Sequence, residues 1–344
     1  MSAFATIATC SPNPRSWRWY EPETMSDIHW LFHSEEPNSL MERIIKRPNL
    51  ARIRCTFNCV AQAIQERADL VIAHSDRTTF WAAVVMLFRR TDIPLIAYSF
   101  NMPTLPTGIR LYLLKKAIRR VQRFIVHSEL ERQTYAALLA IPLGKIEVVR
   151  WGVQIPILEK KSQPHIKGPY ICAIGKDRRD YITLISAMAQ LPDLKLVIVA
   201  QPRNFPFELK IPGNVEILYN ISLNSAMNIL QHSQFMALPL QGEKIACGHI
   251  TIVSAMFYRK AFLATKSAGL NDYIPDHYDA PQVNAGDVQG WVNALRLMAD
   301  DSSLRERCEE MGDRFARAYC SHHAALKQCC NVLRKEGIKV GLDD

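Results

Sequence analysis

The run Tyr170-Ile171-Cys172-Ala173-Ile174-Gly175-Lys176-Asp177-Arg178-Arg179-Asp180-Tyr181-Ile182-Thr183-Leu184 holds two structural periods and the switch between them. Five residues with no charge among them read as a strand buried on both faces. Gly175 ends it, a cationic loop follows, and a helical pattern over 183–190 takes over. The same alternation extends in both directions. Apolar, β-branched runs at 28–32, 70–73, 95–98, 123–126 and 146–149 precede it, and runs at 194–200, 215–218, 235–238 and 261–265 follow, each succeeded by polar or helical sequence. Strands alternating with helices predict α/β architecture with parallel sheets covered on both faces and ligands at the carboxyl ends of the strands. The patterns at 304–319 and 324–336 predict two closing helices. The stretch 154–169, with Pro156, Pro164, Pro169 and a lysine pair, is the best linker candidate. It divides the 344 residues into an N-terminal domain, 1–160, and a C-terminal domain, 161–344, that includes the closing helices.

Composition narrows the class. Hydrophobic residues make up 48% and charged residues 22%, as in ordinary globular proteins. The most apolar stretch, 79–88, is about half the ~20 residues a bilayer-crossing helix needs. The first charge is Arg15, and prolines and tryptophans follow Cys10, a pattern that argues against a cleaved export signal. Nine cysteines, an odd number without regular spacing, argue for reduced thiols and a cytoplasmic location, and against a disulfide framework or a zinc site.

The net charge of +9 is unevenly placed. Residues 1–167 hold 23 lysines and arginines against 14 acids, whereas 168–344 hold 19 of each. The densest cations are Arg110, Lys115, Lys116, Arg119, Arg120 and Arg123, within a stretch, 93–128, that has no acid. Leu111, Tyr112, Leu114, Ile118 and Val121 interleave with them, which reads as a basic amphipathic helix. A solvated face is the default for such a run; contact with an anionic membrane surface is the sharper expectation. A nucleic-acid partner is not expected, because the chain lacks a recognisable binding motif or interleaved aromatic platform.

Three places in the second half have the shape of a phosphate site. In 173–181, Gly175 allows close backbone approach, and Lys176 and Arg179 are suited to clamp a diphosphate; a solvated loop is the bland alternative. In 246–251, Gly248, His249, Ile250 and Thr251 open a helix whose free N–H groups attract anions; a loop capped by Thr251 is its alternative. In 268–273, the residues from Ala268 to Tyr273 signal a turn. In order and spacing these segments, with Ser254-Ala255-Met256, Lys260-Ala261-Phe262-Leu263-Ala264-Thr265, Ala68-Asp69-Leu70-Val71-Ile72-Ala73-His74-Ser75 and Trp151-Gly152-Val153, resemble GT-B glycosyltransferases, in particular family 4, over roughly 65–320.

The resemblance implies two Rossmann-like domains facing across a cleft, with the acceptor on the first and a nucleotide-sugar donor on the second. It implies transfer to a glycan or lipid-linked acceptor, with retention and without a metal or other cofactor. It gives Lys176 and Arg179 the basic roles and the backbone of Ile250 and Thr251 the helix-start role, with Gly175 and Gly248 shaping the loops. Where the family carries glutamates eight residues apart, this chain has Ala246 and Ser254. Ser254 can still bond a hydroxyl, and Glu243 and His249 are candidates to reach the sugar. Where the family places a histidine near the reaction centre, this chain has Ser99-Phe100-Asn101, so Asn101 is the expected neutral substitute and His74 a second candidate. His127 and Ser128 read as structural, Ser128 and Glu131 having capping-box spacing. The missing glutamates also leave open a non-catalytic relic that binds a nucleotide-sugar or glycan.

Overall fold

A computed structural model of the chain describes residues 4–12, 25, 27–45, 49–102, 104–153, 165–206 and 208–341. Of the expected linker, residues 154–164 lie outside the described residues. The chain forms two compact units: Met1–Val149 together with Ala325–Asp344, and Arg150–Ala324.

In unit 1 the strands are β1 (Ala5–Ser11), β2 (Ile28–Ser34), β3 (Leu70–His74), β4 (Leu95–Tyr98), β5 (Val121–Val126) and β6 (Ile146–Val148). The helices are α1 (Leu40–Ile44), α2 (Leu50–Gln65), α3 (Asp76–Arg89), α4 (Gly108–Ala117) and α5 (Glu129–Leu139). The six strands form one parallel sheet in the order β2-β1-β3-β4-β5-β6. Side chains alternate across it. Ala8, Cys10, Val71, Ala73 and Ala97 face a core built with α2, α3, α4 and α5, while Ile7, Leu70, Ile72, Ile96 and Ile125 face the other side.

In unit 2 the strands are β7 (Ile171–Ile174), β8 (Leu196–Ala200), β9 (Val215–Tyr219), β10 (Met236–Leu238), β11 (Phe262–Thr265) and β12 (Gln282–Val283). The helices are α6 (Tyr181–Met188), α7 (Leu223–His232), α8 (His249–Phe257), α9 (Val288–Asp300) and α10 (Ser302–Tyr319), and α11 (His322–Lys335) follows. This sheet is also parallel, in the order β12-β11-β10-β7-β8-β9. One core lies under α6 and α9 and the other under α7 and α8, with α10 contributing to both.

Two differences from the sequence reading have physical causes. The last helix does not close the second domain. Leu326, Cys329, Cys330, Val332 and Leu333 of α11, with Ile338 and Val340, cover the open face of the unit 1 sheet. Alternation had buried that face's isoleucines with nothing local to cover them, and the apolar stripe of α11 supplies the cover. The basic segment is likewise not one helix. It ends at Ala117, passes through a 3₁₀ turn at Ile118–Arg120 and becomes β5, so Arg123 is a strand residue. Arg123 pairs with Glu336 (2.5 Å) and Glu147 (3.5 Å), which Lys335 also contacts. Its charge ties α11 to the sheet. Strands β1 and β12 escaped the sequence reading; β12 is two residues long and β1 is the polar-interrupted stretch Ala5-Thr6-Ile7-Ala8-Thr9-Cys10-Ser11.

Candidate functional site

In unit 2 the chain runs from β7 outward to β8 and β9, then returns to lay β10 on the other side of β7. Neighbouring β7 and β10 therefore send their loops in opposite directions, and the crevice at their carboxyl ends is the usual ligand position of a doubly wound sheet. Two of the three sequence-predicted phosphate segments meet there. The loop after β7 carries Gly175 to Asp180, and the loop after β10 leads through Gly248 into α8.

Arg179 joins the two loops. It is 5% exposed, and its guanidinium donates from Nη1 to Asp177 O (2.9 Å) and Cys247 Sγ (3.4 Å), from Nη2 to Thr251 Oγ1 (3.0 Å) and from Nε to Ile174 O (3.4 Å). Gly175, at φ +140°, is what admits it, since a Cβ there would lie 2.5 Å from Nη2. Backbone bonds from Asp180 N to Pro239 O and from Gln241 N to Arg178 O add to the seam. Arg179 is thus a buried post between the two loops, where the sequence led us to expect a diphosphate clamp. Lys176 is exposed, and no carboxylate among the described residues pairs with it.

Helix α8 starts at Gly248, φ +96°, with no side chain capping it. A Cβ at Gly248 would meet Leu238 Cδ2 at 2.8 Å, so glycine serves both the turn and the packing. Ile250 is exposed and Thr251 half-buried, which leaves the first turn of α8 accessible beside Arg179. An uncapped helix start next to a cation favours an anion.

His249 is buried instead of facing a sugar. Its ring stacks on Tyr273 at 4.5 Å, Nε2 donates to Gly269 O at 2.7 Å, and burial pushes its pKa down to about 4. The neutral ring pins α8 to the 3₁₀ turn Ala268–Tyr273. That turn also braces the β10–α8 loop from behind: Ala268 N donates to Glu243 O, and a Cβ on Gly269 would fall 2.2 Å from Ile245 O. Ser254 Oγ donates to Ile250 O at 2.7 Å, one turn back in α8, and the residue is 5% exposed. Its hydroxyl serves its own helix. Glu243 is exposed at the loop surface.

In unit 1 Asn101, just after β4, donates from Nδ2 to Glu131 Oε1, leaving its amide oxygen as the free acceptor. Glu131 is buried and also takes bonds from His127 N and Ser128 Oγ; desolvation raises its pKa while those bonds oppose the rise. Ser128 caps α5 as expected. His127 donates from Nδ1 to Val149 O (2.7 Å) and accepts at Nε2 from Ser99 (3.0 Å). His74 ends β3 fully buried against the Tyr98 ring at 5.3 Å, and burial pushes its pKa down to about 3. It is a neutral, fully buried core residue, where the sequence made it a second candidate for the reaction centre. Sequence reasoning missed two features here: Glu131 as the anchor of Asn101, and a buried cluster in which Glu35 is held by Arg52 (3.0 Å) and Thr78. Neither leaves a local sequence signature, because the partners are 30, 17 and 43 residues apart.

Two parallel six-stranded sheets with flanking helices, each unit doubly wound, define the GT-B fold, and the fold of this chain is that of the GT-B glycosyltransferases. Residues 31–155 match the family model described as Glycosyltransferase Family 4, which supports a glycosyltransferase. Solved structures agree on the fold. HepE (Alr3699) of Anabaena in complex with UDP is 14% identical over 96% of this chain and 100% of its own, with a TM-score of 0.72. Sucrose-phosphate synthase of Thermosynechococcus elongatus is 14% identical over 96% and 98%, TM-score 0.72. The lipopolysaccharide outer core galactosyltransferase WaaB is 13% identical over 96% and 99%, TM-score 0.67. No curated protein matches the sequence.

Proposed function

We propose that this chain transfers a hexosyl group from a nucleotide diphosphate sugar to a glycan or lipid-linked acceptor, with retention and without a metal, at the inner face of a membrane. The observation that carries this reading is the pair of loops at the β7/β10 switch point, joined where Arg179 donates to Thr251 in the first turn of the uncapped α8, with the exposed Lys176 on the first of the two loops. Departure of a nucleotide diphosphate leaves an oxocarbenium-like sugar and puts charge on the leaving phosphates. N–H groups fixed before the reaction, together with one ammonium, stabilise that charge at little reorganisation cost. Lys176 and the Ile250 and Thr251 N–H groups are the phosphate contacts. Arg179 acts through Thr251 and Cys247 by holding the two loops in register, and Asn101 offers the acceptor a neutral oxygen on unit 1. HepE has been seen with UDP and with UDP-glucose, which makes these the first probes.

The relic reading is favoured by one observation: at the positions of the paired glutamates stand Ala246, with no polar side chain, and Ser254, whose hydroxyl is spent on Ile250 O. Release of UDP from UDP-glucose separates the two readings. Turnover above a Lys176→Ala control establishes the transferase, whereas saturable UDP binding without turnover establishes the relic.

A further inference from the structure

Glu131 does more than help to start α5. A glutamate three residues after a capping serine ordinarily reaches back to the cap itself. Here the residue is 2% exposed and its two oxygens serve different parts of the chain. Oε2 takes His127 N (3.1 Å) and Ser128 Oγ (2.9 Å), while Oε1 takes Asn101 Nδ2 (2.5 Å) from the loop after β4. Tyr135 is a further donor to the same carboxylate. Only the ionised form accepts from all four.

The loop around Asn101 is fixed by other contacts. Phe100 packs edge-on against Phe124 and Tyr135, and its N–H bonds Ile125 O. Met102 N bonds the Tyr135 hydroxyl at 2.9 Å. Ser99, in the left-handed region at φ +52°, bonds His127. Such conformations persist only where the surroundings enforce them, and they gather at functional sites. With its neighbours held, the half-buried Asn101 keeps one choice, which end of its amide faces inward. A carboxylate can only accept, so the NH₂ must turn to Glu131 and Oδ1 is left outward.

We propose that Glu131 is a positioning residue for the reaction, holding the Asn101 amide so that unit 1 presents a hydrogen-bond acceptor, and not a donor, to the attacking hydroxyl. An acceptor binds that hydroxyl through its hydrogen and leaves the oxygen lone pairs free, whereas an NH₂ group would occupy a lone pair. The bond from the sugar to the diphosphate breaks as the bond to the hydroxyl oxygen forms, and the displaced proton goes to the diphosphate. The amide takes none. The inference rests on the proposed transfer for what the oxygen does, and on unit 1 alone for which way it faces.

Glu131→Gln isolates this polarity. The His127 N–H cannot reverse, so the new amide keeps its oxygen there and turns its NH₂ toward Asn101. Two NH₂ groups would then meet, and Asn101 flips to avoid it. Adding Asn101→Asp restores an outward oxygen, since one oxygen of the aspartate accepts from the glutamine.

The test pairs side-chain amide NMR of the full chain, isotope-labelled at asparagine, with UDP release from UDP-glucose. In wild type the Asn101 NH₂, assigned by its loss in Asn101→Ala, is expected to show a downfield, slowly exchanging proton. In Glu131→Gln both its protons exchange rapidly, kcat falls at least about tenfold, and UDP affinity is unchanged. Glu131→Gln with Asn101→Asp recovers most of that loss. A freely exchanging Asn101 amide in wild type overturns the inference, even where Glu131→Gln fails to fold. So does a Glu131→Gln protein with the amide spectrum or the turnover of wild type, or a double variant no faster than Glu131→Gln. Wild type that binds UDP and never releases it from UDP-glucose overturns the transfer reading instead, and the amide spectrum still decides the orientation.

Discussion

Lys176 and Arg179 are two cations three residues apart with different work to do. Lys176 is exposed on the loop after β7, and Arg179 is buried between that loop and the start of α8. The melting curve distinguishes them. Lys176→Ala leaves the melting temperature unchanged and weakens UDP, a charge-assisted contact being worth about 1.5 to 3 kcal/mol. Arg179→Ala leaves Thr251, Asp177 O and Ile174 O without their donor in a buried seam, and costs about 2 to 4 kcal/mol of stability as well as UDP affinity. Thermal denaturation beside UDP titration checks both, and equal melting temperatures would show that Arg179 is not the post. Gly269 makes a second residue-scale test. Gly269→Ala forces a Cβ onto the Ile245 carbonyl and costs about 1 to 3 kcal/mol, while Gly144→Ala, with open space around it, is neutral.

At the scale of elements, α11 belongs to unit 1. Leu333→Ala, at a site 1% exposed beneath the sheet, costs about 2 to 5 kcal/mol, and limited proteolysis should show unit 1 opening while unit 2 stays resistant. The two buried histidines make stability depend on pH. His249 in α8 and His74 in β3 have folded pKa values near 4 and 3, below the unfolded value near 6.5, so the unfolded chain binds more protons between these limits. Stability is full above about 6.5 and falls as the pH drops toward 4. Between pH 7 and 5 each histidine contributes a loss on the order of 2 kcal/mol, and urea unfolding of His249→Gln should show a shallower decline than wild type. The strand–helix alternation was legible because buried parallel strands are near-continuous apolar runs. Both phosphate loops were legible because glycine and cations stand out at a strand end. Burial was not legible. Nothing local to Arg179, His74, His249 or Ser254 says that the side chain turns inward, since that depends on partners such as Thr251, Tyr98, Tyr273 and Gly269 contributed by other parts of the chain. The destination of α11 was illegible for the same reason: its stripe fits an open face more than 180 residues away in sequence.

At the scale of the whole molecule, the excess charge and the candidate phosphate site lie in different units, the cations in unit 1 and the anion site in unit 2. Donor binding and membrane attachment should therefore vary independently, and Lys116→Gln with Arg119→Gln should bind UDP like wild type. No helix among the described residues is long and apolar enough to cross a membrane. The central claim is that Lys176 and the start of α8 hold a nucleotide diphosphate without help from a metal. Equilibrium titration of UDP into the full chain in the presence of a chelator tests it most directly, with Lys176→Ala as the comparison. Saturable binding that the substitution weakens by about 10- to 100-fold is the predicted result. Binding that appears only on adding Mn²⁺ or Mg²⁺, or that is equally tight in both proteins, would contradict it.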